Sequence, residues 1–187
     1  MPTAVTDSPA QLSPRRKRWT RSEYEELSSC GLLDQQHLEL VEGELIDKMG
    51  KKQPHVNSVA LLLGWLIRMF GERFVLQEAP IDVAPQDNPT NEPEPDLIVL
   101  KRNLSHFTCV RPSPQDLQLV IEVADSTLGF DRTTKAALYA RAGIVEYWVL
   151  DIQGRRMIVH RDPQAGRYAS IAGYSSDESV APLAAPE

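Results

Sequence analysis

Leu119-Val120-Ile121-Glu122-Val123 opens the stretch whose reading decides the fold; Asp131-Arg132, then Lys135, Tyr139 and Gly143, and finally Glu146-Tyr147-Trp148-Val149-Leu150-Asp151 follow it. The first and last segments are short, almost continuously apolar runs rich in β-branched and aromatic residues, which read as buried strands. Between them Asp131 can cap a helix running to about Ala142, and Gly143 ends it in the position after the C-cap that glycine favours. The stretch therefore sets a carboxylate, Glu122, at the end of a buried strand and an ammonium, Lys135, on the next helix.

Upstream, a polar, proline-rich loop from Pro85 to Pro95 delivers the chain into Asp96-Leu97-Ile98-Val99-Leu100, a second buried strand with its only carboxylate at the entrance. Phe74 to Gln77 and Ile81 to Ala84 read as short strands around Pro80, and Arg156 to Arg161 and Tyr168 to Ile171 as further strands. His55 to Phe70 keeps apolar residues at helical spacing (Val56, Val59, Leu63, Leu66, Ile67, Phe70) and predicts a helix lying on the sheet, ended by Gly71. Thr20 followed by Glu23 has the form of a capping box for a short first helix. Glu39-Leu40-Val41-Glu42-Gly43-Glu44-Leu45-Ile46 reads as a hairpin turning at Gly43. If Val41 pairs with Glu44, Glu39 pairs with Ile46, and alternation puts Glu39 and Glu44 on one face. That face is either a pair of functional acids or a charged solvent face.

The chain has 187 residues, 42% of them apolar, enough for one ordinary core. The expected organisation is a disordered tail over 1–18, one domain over 19–174 and a loose tail over 175–187. The longest apolar run, Val59 to Phe70, contains Gly64 and Arg68 and is short of a bilayer span. Residues Met1 to Pro14 lack the apolar core of a secretion signal, so a cytoplasmic location is expected. Cys30 and Cys109 stand far apart without a second pair, as reduced thiols do. A net charge of −6 disfavours a nucleic-acid coat protein, which needs clustered cations, but not an enzyme whose own site is acidic. The basic runs Arg15–Arg18 and Lys48–Lys52 read either as backbone contacts or as a solvated tail and loop.

Two strand-borne carboxylates and a lysine are the minimum set for metal-assisted phosphodiester hydrolysis, which needs a nucleophilic water, counter-charge and help for the leaving oxygen. Magnesium takes hard oxygen ligands and keeps several waters, and Asp96 and Glu122 have that chemistry. Glu122 is the acid hardest to explain structurally, because a carboxylate within Leu-Val-Ile-Glu-Val is costly to bury without a partner. Lys135 would position or activate the water, its pKa depressed by the metal beside it, and Tyr139, four residues on, would share its helix face. Asp96 could instead satisfy a turn, and Tyr139 could be packing. His55, at a helix start, reads as a cap or solvent-facing residue, with metal ligation the alternative. Asp125, Asp131 and Asp151 read as cap or turn residues.

Glu39 to Ile46, Pro95-Asp96 before an aliphatic strand, Glu122-Val123-Ala124-Asp125-Ser126, Asp131-Arg132 with Lys135 and Tyr139, and Glu146-Tyr147-Trp148 with Asp151 together resemble the Uma-type restriction endonuclease family of the PD-(D/E)XK nuclease superfamily. The resemblance spans roughly Trp19 to Tyr168. It implies an α/β (α+β) fold with a restriction-endonuclease-like core: a mixed sheet flanked by helices, preceded by a helix and a hairpin. It further implies an endonuclease acting on DNA, a magnesium ion held by Asp96 and Glu122 with manganese as a substitute, and pairing as a homodimer. The superfamily's usual lysine falls at Ala124 here, so the resemblance gives its role to Lys135, with Glu39 or Glu44 as an additional acid. Glu42-Gly43 replaces the family's Asp-Gly, and the carboxy-terminal segment is shorter, without the family's closing strand and helix. The competing expectation is a catalytically silent nucleic-acid or protein-binding module that keeps the same fold.

Overall fold

A computed structural model describes residues 15–33, 36–48 and 52–185; the greater part of the expected amino-terminal tail lies outside them. Helix α1 (Arg21–Ser29) starts at the anticipated capping box: the Thr20 side chain accepts the Glu23 N–H while the Glu23 carboxylate accepts the Thr20 N–H. Strands β1 (Leu38–Val41) and β2 (Glu44–Asp47) form a separate two-stranded sheet in the predicted register, Val41 opposite Glu44 and Glu39 opposite Ile46. Glu42 and Gly43 both have positive φ, 51° and 73°, as a type I′ turn demands. A side chain at Gly43 would also run into Arg18 Cβ at 3.1 Å and the Trp19 carbonyl at 3.3 Å. The Trp19 N–H donates to the Gly43 carbonyl, docking the chain before α1 on the turn.

Helix α2 (Gln53–Phe70) precedes β3 (Val75–Gln77), β4 (Leu97–Leu100) and β5 (Leu117–Ala124). A helical rod over residues 128–141, here α3, leads to β6 (Glu146–Asp151), β7 (Arg156–Gln164) and β8 (Arg167–Ser175). The six strands β3 to β8 lie side by side in sequence order; β5 and β6 run parallel, every other neighbouring pair antiparallel. This is a mixed-sheet α+β architecture, as expected. Both faces of β5 are covered, which is why it is apolar throughout apart from Gln118 and Glu122. Leu119, Ile121 and Val123 pack beneath α2 with Val59 and Leu66, while Val120 and Ala124 pack beneath α3 with Ala136, Leu138 and Tyr139. Glu122 shares the parity of Val120 and Ala124 and so faces α3. Truncating a fully buried leucine such as Leu119 to alanine would cost about 2–5 kcal/mol.

Four local expectations need correction. Ile81–Ala84 is no strand: Ile81, Val83 and Ala84 are buried, but the Ile81, Asp82 and Val83 N–H groups go to the Pro93 carbonyl, the Pro112 carbonyl and Asn88 Oδ1 rather than to a ladder. Asp131 does not cap α3. The rod begins with an α-turn at Leu128–Phe130, passes through a π-helical turn at Asp131–Lys135, and continues as α-helix over Ala136–Arg141. The carboxy-terminal segment is not loose up to residue 185. The Leu183 N–H donates to Glu146 Oε2, Arg161 donates to Glu146 and to the Ala181 carbonyl, and Val180 packs on the core. Nor does the sheet lack a closing strand, since β8 pairs with β7 along its whole length.

Candidate active site

The register of β4 against β5 places Leu97 opposite Ile121, and one step further along the two chains Asp96 falls opposite Glu122. Asp96, the residue before β4, and Glu122 of β5 therefore stand at the edge of one cleft, walled by the β1–β2 hairpin, the first turns of α2 and α3, and the β5–α3 loop. Asp96 is 4% exposed and Glu122 3%, so neither is a surface charge.

Lys135 reaches Glu122 from above. Its Nζ lies 2.7 Å from Glu122 Oε1 and 2.8 Å from Glu39 Oε1, and it is itself 2% exposed. The Tyr139 hydroxyl donates to the same Glu122 Oε1 at 3.0 Å. Lysine and tyrosine, four residues apart on an α-helix, share one face and one acceptor. Glu39 Oε2 is held in turn by the Glu94 N–H at 3.0 Å. Of the two hairpin acids, then, Glu39 joins this cluster, whereas Glu44 is exposed at the turn end and does not line the cleft.

Asp96 is fixed from two sides. Its Oδ2 accepts the Val123 N–H at 2.7 Å, and its Oδ1 lies 3.4 Å from His55 Nε2. His55 Nδ1 lies 2.9 Å from the Val123 carbonyl, so this histidine neither caps α2 nor faces solvent; it spans from the helix to the strand and the first acid. Helical periodicity alone could not reveal that reach, because it depends on where α2 crosses β5. Lys48 and Lys52 line the same cleft, Lys48 donating to the Glu94 carbonyl and Lys52 standing 3.7 Å from Asp125. Residues 49–51 lie outside the described residues.

The electrostatics follow from four acids around one ammonium. Burial disfavours a charged Lys135, but Glu122, Glu39 and Asp131 outweigh it and hold the lysine well above its ordinary pKa. Burial pushes Glu122 up, aided by Asp96, Asp131 and Glu39 and opposed by Lys135. Lys135 therefore keeps its charge, while Glu122 holds a proton more readily than a free glutamate, since one ammonium cannot offset two buried carboxylates. Burial likewise pushes Asp131 up to about 6, against Lys135 and the hydroxyl of Thr127, which donates to it at 2.6 Å. Asp131 lines the cleft, a position the reading of it as a cap did not anticipate. Asp96 behaves oppositely: burial raises it, but His55 and the Val123 N–H more than compensate and it is lowered.

Among the described residues no three His, Cys, Asp or Glu side chains form a ready-made metal cage. Two carboxylates at the edge of one cleft are nevertheless a donor set a hard cation accepts when waters or phosphate oxygens complete its shell. The hydrogen bonds to Glu122 converge on Oε1. The surplus of carboxylates over Lys135 favours a further cation in the cleft. The carboxylates of Asp96 and Glu122 have the donor chemistry that suits a hard divalent cation.

A mixed six-stranded sheet beside a two-stranded one, flanked by few helices, makes this an α+β protein. The chain belongs to the Uma2 family, described as "Putative restriction endonuclease", which it matches over residues 21–187. Among solved structures it is similar to "a putative nuclease belonging to DUF820" from Anabaena variabilis ATCC 29413, with 15% sequence identity, 78% of this chain and 80% of that chain covered, and a TM-score of 0.60. At that identity the likeness is one of fold. No curated protein matches the chain. Among the described residues no helix is long and apolar enough to cross a membrane.

Proposed function

We propose that the protein is a divalent-metal-dependent endonuclease that hydrolyses phosphodiester bonds in DNA, with Asp96 and Glu122 as the metal-holding acids and Lys135 and Glu39 completing the site. The observation that carries this reading is the convergence of Lys135 on Glu122 and Glu39 from three separate elements, buried yet opening on a cleft. A buried ion pair of this kind is a poor way to gain stability, which favours a chemical reason for it. Magnesium, or manganese in its place, supplies Lewis-acid polarisation of the phosphate and a more acidic water. Asp96 enters the reaction already ionised, held so by His55 and the Val123 N–H. Lys135 stays charged, so it orients the attacking water and offsets charge on the phosphate by donating hydrogen bonds. Tyr139 fixes the Glu122 carboxylate, and Glu39 fixes the ammonium. Duplex cleavage needs two such sites, which a homodimer provides.

Purified protein incubated with magnesium or manganese is expected to cut single- or double-stranded DNA, and the Glu122→Ala and Lys135→Ala variants are expected not to. Intact substrates with the unaltered protein, or cleavage surviving both substitutions, would overturn the reading.

A second reading, a silent binding module on the same fold, draws on the lysine being closed off by two carboxylates with no three-residue metal cage among the described residues. Manganese titration calorimetry separates the two, since a decayed site takes up no metal.

A further inference from the structure

The π-helical turn over Asp131–Lys135 is the least regular part of α3, and it carries the lysine. In an α-turn the Asp131 carbonyl would accept the N–H of Lys135, four residues on; here it accepts the N–H of Ala136, five residues on. A π-turn holds one residue more than an α-turn, so its loss would rotate the two halves of the rod by about 100° relative to each other. The half of the rod that begins at Lys135 would then present a different face relative to the first half, whose Asp131 lines the cleft. Single π-turns inside α-helices are rare, and this one takes a hydrogen bond from outside the rod.

That contact comes from β6. Tyr147 is fully buried, its ring 5.0 Å from that of Tyr139 and 5.1 Å from that of His160. A phenol there must give its hydroxyl hydrogen to something, and the Tyr147 hydroxyl donates at 3.0 Å to the same Asp131 carbonyl. We propose that Tyr147 is a positioning residue for Lys135: its hydroxyl pins the Asp131 carbonyl and so holds the π-turn that aims the lysine at Glu122. The catalytic consequence rests on the nuclease reading above; the structural one does not.

Tyr168 supplies the control. It lies in the same aromatic cluster, and its buried hydroxyl donates at 2.9 Å to the Ile144 carbonyl, away from the π-turn. Tyr147→Phe and Tyr168→Phe therefore each delete one buried hydroxyl, but only the first frees the turn. The experiment is amine acetylation of the folded, metal-free full chain at neutral pH, with mass spectrometry following each lysine. Lys135 in the unaltered protein is expected to react slowly, and Tyr147→Phe to raise its rate by roughly tenfold, the effect of one lost hydrogen bond on a local opening. Exposed Lys17 and Lys101 should not change, and Tyr168→Phe should leave Lys135 protected. Equal labelling of Lys135 in the unaltered protein and Tyr147→Phe would overturn the proposal, as would an equal rise in both tyrosine variants. Where the unaltered protein cleaves DNA, Tyr147→Phe should lower kcat with KM unchanged; an unchanged kcat counts against the proposal. If the unaltered protein cleaves nothing, the nuclease reading fails and the labelling result still decides the role of Tyr147.

Discussion

Asp96 Oδ2 accepts the Val123 backbone N–H at 2.7 Å, so the first acid holds in place the strand residue next to the second. Asp96→Asn keeps an oxygen for that N–H and removes the charge; Asp96→Ala removes both. Both variants are expected to lose manganese binding in calorimetry. Only Asp96→Ala should also lose about 1–3 kcal/mol in urea denaturation, the cost of a buried donor left without an acceptor.

Lys135→Met replaces the ammonium that faces Glu122 and Glu39 with a chain of similar length. Removing one partner of a buried charge cluster typically costs about 3–5 kcal/mol, and denaturant titration in the presence of a chelator at pH 7 should register a loss of that order. A loss under 1 kcal/mol would mean that the two glutamates discharge at little cost.

The two hairpin acids should part company. Glu44 is exposed, and Glu44→Gln is expected to change stability by no more than about 0.5 kcal/mol and to leave cleavage intact. Glu39→Gln takes a carboxylate from Lys135 and should depress cleavage at least tenfold in the same assay, on the scale of one charge-assisted contact. Equal effects would remove Glu39 from the site.

Asp131 gives stability a pH dependence of defined sign. Its ordinary value of 3.8 is raised to about 6 in the folded chain, first by burial. The folded state thus binds the extra proton between these values, and this group's contribution to stability falls as pH rises from about 4 to about 6. Thermal melts of metal-free Asp131→Asn across that window should show a shallower decline than the unaltered protein. Parallel curves would refute the shift.

Glu146 is 0% exposed and takes hydrogen bonds from Trp148, Arg161 and the Leu183 N–H. Truncation after Ser179 removes the last of these and the Ala181 carbonyl from Arg161. A stability loss of about 1–3 kcal/mol is expected in urea.

How much of this was legible in the sequence depended on whether the deciding interaction was local. The hairpin register followed from Glu42-Gly43 and strand alternation, both local, and it was read residue for residue. The pairing of Glu122 with a lysine on the next helix was legible because a carboxylate in an aliphatic run requires a partner. Parity could not choose between Glu39 and Glu44, which share a face; distance from α3 along the hairpin does. Ile81–Ala84 alternates like a strand, but its N–H groups find acceptors in the loop that follows, at Asn88 and Pro93, and at Pro112 in the loop before β5. The π-turn leaves no mark in periodicity, since one extra residue in a turn shifts the pattern no more than ordinary irregularity does. Nothing in Glu146-Tyr147-Trp148 showed that the Leu183 N–H would return to Glu146, so the carboxy-terminal segment read as a loose tail.

Because β5 and β6 run parallel, the chain leaving Ala124 must travel back along the sheet before it can start again at Glu146. Any polypeptide making that return passes over the outward side of β5, whatever residues it is made of. Lys135 on the return segment therefore reaches Glu122 of the strand beneath it with no further element needed to carry it. A parallel strand pair thus obliges the segment between its strands to overhang the first of them, and whatever that segment carries inward meets the strand's buried acid.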